Sequence, residues 1–150
     1  MKNLIFVILF ALLFSACHDD ELAENDYLIF GTAYGECLDN CATFYKIQNE
    51  KLYFDNMDYF SENYSFEAAE LANSKYVIAK QLFDDMPEYL RNNTDQTFGC
   101  PDCADQGGIH IVLFQNGKTE SWHIDTNIEQ QPEEIRNYVA QVLSVMEEIQ

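Results

Sequence analysis

The chain has 150 residues, with 26 acidic side chains against 8 basic ones and a formal net charge of −18 at pH 7. A field of that sign repels phosphate backbones, which excludes nucleic acid as a partner and leaves proteins or small molecules open. The length suits a single domain, large enough to bury roughly two-thirds of its surface.

The chain begins with one positive charge at Lys2 and an unbroken apolar run from Leu4 to Phe14, followed by Ser15-Ala16-Cys17. This is the pattern of a secretory signal, since about eleven helical residues rise only about 16 Å and cannot cross a bilayer core of about 30 Å. Phe14-Ser15-Ala16-Cys17 resembles the lipobox of bacterial lipoproteins. The resemblance implies cleavage before Cys17, lipidation of its sulfur and attachment to a membrane. The chain then divides into a signal peptide (1–16), a lipidated acidic linker (17–26) and one domain (27–150). His18-Asp19-Asp20-Glu21, with Glu24 and Asp26, resembles the surface-export signal of Bacteroidota lipoproteins. The implied location is the outer membrane, with the domain on the cell surface or on the periplasmic face.

Within the domain, Tyr27 to Tyr34 reads as a strand and Gly35 to Cys41 as a turn-rich loop. Ala42 to Gln48 and Lys51 to Asp55 form a hairpin across Asn49-Glu50. In that register Ile47 faces Leu52 and Tyr45 faces Phe54, so all four share one apolar face. Residues 56–63 read as a polar and aromatic loop, and Tyr64 to Leu71 as a further strand. Asn73 or Ser74 is placed to cap a helix reaching about Met86, with Ile78, Leu82 and Met86 four apart and Ala79 and Phe83 beside them. Pro87 interrupts it, and Glu88 to Arg91 add a turn. Residues 92–108 read as a long loop. Asn116-Gly117 between Ile109–Gln115 and Lys118–Asp125 is a strong hairpin signal. Pro132, Glu133 and Glu134 open a last helix, whose Ile135, Val139, Val142, Met146 and Ile149 form one apolar stripe. The expected fold is α+β: an antiparallel sheet of about five to six strands, with two helices packed mainly on one face.

Beyond Cys17, four cysteines remain, Cys37, Cys41, Cys100 and Cys103. An even number in an exported domain points first to disulfides, and three connectivities are open. Cross-pairing would close far longer loops than local pairing and stabilise more. Four thiolates at these spacings also suit a structural zinc ion. Cys100-Pro101-Asp102-Cys103 looks like the Cys-x-x-Cys of thioredoxin-like enzymes, although the strand-to-helix context of that motif is missing. In the second hairpin His110 sits directly across from His123. Such a pair can ligate a metal, alone or with Cys100 and Cys103, or simply rest half-exposed on the outer sheet face.

No nucleophile elbow, phosphate loop, dinucleotide fingerprint, metalloprotease helix or EF-hand occurs, and no catalytic residue is assigned. Asp55-Asn56-Met57-Asp58 has calcium-compatible ligands but lacks the loop's Gly and later Glu. Tyr34-Gly35-Glu36-Cys37, Cys41, Phe44-Tyr45-Lys46-Ile47, Leu52-Tyr53 and Gly99-Cys100-Pro101-Asp102-Cys103-Ala104-Asp105-Gln106-Gly107-Gly108 resemble small uncharacterised lipoproteins of Bacteroidota over about residues 27–145. That resemblance implies a location and a fold and brings no activity. The expected function is a membrane-anchored, non-catalytic binding or structural module, taking a protein or small-molecule partner and no cofactor. The alternative is a zinc-binding protein, with four cysteines or a cysteine–histidine mixture as ligands, or a thiol–disulfide redox protein.

Overall fold

The structure, a computed structural model, describes residues 22–150. The expected signal peptide, Cys17 and the start of the acidic linker lie outside the described residues.

Six strands form one sheet in the order β3-β2-β1-β5-β6-β4. Strand β1 (Tyr27–Ala33) is central, between β2 (Ala42–Gln48) and β5 (Gly108–Gln115). Strand β3 (Lys51–Met57) is one edge, and β6 (Lys118–Asp125) lies between β5 and the short β4 (Gln96–Phe98). Alternation sends Leu28, Phe30, Tyr45, Ile47, Ile111, Leu113, Trp122 and Ile124 to one face, where all are buried. Helices α1 (Asn73–Asp84) and α3 (Glu133–Ile149) cover that face, with a single turn, α2 (Glu88–Asn92), beside them. Leu82, Phe83, Ile135, Val139, Val142, Met146 and Ile149 complete this core. Each large apolar side chain there contributes about 1.5–3 kcal/mol through burial.

Both hairpins turn on two residues. Asn116 and Gly117 have φ of 55° and 77°, and Asn49 and Glu50 have 53° and 58°. Positive φ at both central positions matches the right-handed twist of the strands. The expected partners Ile47↔Leu52, Tyr45↔Phe54 and His110↔His123 face one another.

Four local expectations need correction. The sheet is mixed, because β4 runs parallel to β6 inside the stretch read as a long loop. Tyr64 to Leu71 is not a strand. It runs along β3 with two backbone bonds, Glu67 N–H to Phe54 O and Leu71 N–H to Leu52 O, too few for a ladder. Neither Asn73 nor Ser74 caps α1; Ala72 holds that position and no side-chain cap bond forms. The packed domain also starts before Tyr27: Leu22 packs on the core, and buried Asp26 accepts the Ala23 and Asn116 amides.

Candidate functional site

The sheet's outer face is built around one row of register partners, Asp55–Phe44–Gly31–His110–His123–Thr97. Gly31 is the gap in that row. A Cβ there would collide with the Phe44 ring and the Thr43 carbonyl, so only glycine lets Phe44 lie across β1. The Phe44 ring then meets His110 edge-on, with centroids 5.9 Å apart.

A strap of residues 58–71 leaves the end of β3 and folds back over this face. Buried Asp55 accepts its Ser65 amide at 2.5 Å. Tyr64 packs edge-on against Phe44 at 5.0 Å and stacks on Phe66 at 5.6 Å. Phe60 lies 4.5 Å from His110 and 5.7 Å from Phe44. Ile29, Ala33, Ala42 and Phe44 thereby form a small second core beneath the strap.

His110 and His123 stack with centroids 3.9 Å apart and planes 27° from parallel. Burial, and secondarily the neighbouring His123, pushes His110 down to about 4. Burial also lowers His123, against the opposing pull of the Asp102 carboxylate. Both imidazoles are therefore uncharged at neutral pH. The pair is not isolated on an open face, because Phe60 flanks it.

Beside the pair opens a cleft of about 400 Å³. Phe60, Glu62 and Tyr64 of the strap form one wall, and Asp95, Gln96 and Thr97 form the other. Asp95 is fixed by the amide of Ser121 at 3.0 Å and its hydroxyl at 3.3 Å. Tyr64 is pushed up to about 12, first by burial and then by the nearby charges of Glu62 and Asp55. Trp122 touches the cleft only at the sheet beneath it: its side chain is buried on the inner face, where the indole N–H donates to the Leu90 and Asn93 carbonyls.

The cysteines close locally, Cys37 with Cys41 and Cys100 with Cys103, at Cα separations of 5.4 and 5.5 Å. Paired this way they present no thiolates for a zinc ion, and the longer cross-links are not made. Among the described residues no group of three or more His, Cys, Asp or Glu side chains gathers to hold a metal. Asp102 ties the two disulfide loops together. Its carboxylate accepts the amides of Gly35 and Gly107, and its own amide donates to the Gly107 carbonyl. Pro101 and the His123 ring close on Gly108 from two sides, where a Cβ would strike both. Cys100 and Cys103 line a different hollow, next to buried Asp125. Burial works to raise the Asp125 pKa. The amides of Asn127 and Cys100 and the Gln106 side chain outweigh it and hold the group low.

The sequence singled out the histidine pair and the cysteines but not the residues that wall the cleft. Phe60, Glu62 and Tyr64 fall in segments read as loop and strand, and Asp95 to Thr97 in the long loop. The only signal was the aromatic density of residues 59–66. No protein-family model matches the chain, and no curated protein matches its sequence.

Proposed function

We propose that this protein is a lipid-anchored, non-catalytic binding module of the bacterial envelope, and that the outer-face cleft is its binding site. One observation carries the binding half of this reading. Six buried or half-buried groups of the outer face and strap (Asp55, Phe44, Tyr64, Phe66, His110 and His123) are committed to holding an aromatic-walled recess open beside the sheet. Its volume falls within the range of small-molecule sites, roughly 300–1,000 Å³.

The anchor half rests on the signal-like amino terminus, the lipobox resemblance and the disulfides, which form in oxidising compartments. The outer membrane is the proposed location, and the acidic residues after Cys17 favour the cell surface. Because Leu22 already packs on the core, only residues 18–21 separate it from Cys17. Five extended steps reach at most about 17 Å, so an anchored domain rides close to the bilayer. The test is Cys17→Ser in the native host. The expected outcome is loss of incorporated palmitate and transfer of the protein from the membrane to the soluble fraction. Unchanged membrane attachment would reject the anchor.

A further inference from the structure

We propose that the outer-face cleft recognises an organic cation, an ammonium or guanidinium group, through the exposed ring of Phe60 together with the carboxylates of Glu62 and Asp95. This rests on the cleft being a binding site and names the chemistry of what it takes.

The lining decides the sign of the ligand. Among the described residues that form it, none is Lys or Arg, while Glu62 and Asp95 stand on opposite walls. Lys46 sits over the Tyr53 and Phe66 rings and does not line the cleft, and Lys118 is the cation that the Asp95 charge reaches. Lys118 is already paired with Glu120 at 2.6 Å and does not line the cleft. A carboxylate or phosphate ligand would therefore meet two negative walls and no counter-charge, within a chain of net charge −18.

The aromatic groups supply the second half of cation recognition. An aromatic face carries negative charge density and attracts a cation within about 6 Å of its centroid. Phe60 is 37% exposed and stands 4.5 Å from His110, so the strap and the sheet present rings side by side. Burial keeps both imidazoles beside it uncharged at neutral pH, so they do not repel a cation. Ser121, Thr97 and Gln96 offer hydroxyl and amide oxygens to the N–H groups of a primary amine or guanidinium.

The same head group can come from a free small molecule or from a Lys or Arg side chain, and the cleft is open enough for either. The experiment uses the full chain, purified from whichever fraction it occupies, at 0.15 M salt to damp the general field. Binding is read by calorimetry. Choline and spermidine probe free cations. Capped tripeptides Gly-Lys-Gly and Gly-Arg-Gly probe side chains. Glucose and inorganic phosphate are the neutral and anionic controls.

The expected result is saturable binding of at least one cation. Phe60→Ala and Glu62→Gln should each weaken it tenfold or more. Asp58→Asn and Tyr59→Ser, neighbours outside the lining, should leave it within twofold. Near-ultraviolet circular dichroism confirms that each variant is folded. Choline or spermidine binding alone assigns a free ligand, and tripeptide binding assigns a protein side chain. Equal weakening by Asp58→Asn would mean a general field and overturn the proposal. Saturable glucose or phosphate binding with silent cations would also overturn it, while the binding-module reading stands. Silence from every probe would overturn it and count against the cleft as a binding site.

Discussion

His110 titrates at about 4 in the folded domain against an ordinary 6.5, because burial and His123 disfavour its charged form. Between those two values the unfolded chain binds more protons than the folded one. The stability from keeping the imidazole neutral is complete above pH 6.5 and is lost as pH falls toward 4. One pKa unit corresponds to about 1.4 kcal/mol, and the partial exposure of His110 reduces the total to about 2 kcal/mol. His123 shifts in the same direction and adds to the effect. The Asp125 carboxyl is held low instead, so its contribution persists above its ordinary 3.8 and fades below it, outside this window. Unfolding free energies from urea titrations at pH 7 and 4.5 should differ by about 2 kcal/mol in the native chain and by much less in His110→Gln. An unchanged slope in that variant would show that other groups carry the acid sensitivity.

The two hairpins solve the same turn problem with different residues. Asn116-Gly117 meets the positive-φ requirement with favourable side chains, whereas the second turn places Glu50 at φ 58°. A Cβ in that region crowds the backbone, so Glu50→Gly should stabilise the domain by about 0.5–1 kcal/mol, measured by thermal unfolding. A neutral or destabilising result would mean that the contacts of Glu50 outweigh its backbone strain. The same turns explain what was legible beforehand. Two-residue loops fix register by counting, so the Ile47↔Leu52 and His110↔His123 pairs followed from sequence position. The α3 stripe was equally readable, because five apolar residues at spacings of three and four face the core. Strand β4 was not. It has three residues, two of them exposed, and its partner β6 begins about twenty residues later, so no local period marks it. The strap escaped for a related reason. Its Phe60, Tyr64 and Phe66 are ordered by Phe44 and Asp55, and the position of Phe44 depends on the missing side chain of Gly31. Those are long-range steric facts that no segment of the sequence displays alone.

At the scale of the molecule, the chemistry-bearing parts lie away from the main core. The helices and inner sheet face hold the fold, while both disulfide loops, the strap and β4 frame the outer face and one end of the sheet. Cross-linking loops this short removes little entropy from the unfolded chain, about 2 kcal/mol each on the chain-entropy account. Two such closures total about 4 kcal/mol, less than the 5–15 kcal/mol typical of a folded domain. Replacing Cys37, Cys41, Cys100 and Cys103 together by Ser should therefore leave a folded protein, with its melting temperature lowered by roughly 8–16 °C. Near-ultraviolet dichroism from buried Trp122 should survive, because its bonds run to Leu90 and Asn93 and not to the disulfide loops. Hydrogen exchange should instead rise at Gly35, Gly107 and Cys100, whose amides depend on Asp102 and Asp125 holding the loops in place. Global unfolding of the variant at 25 °C would mean that the two short loops support the main core, and that the outer face and its loops are not independent of it.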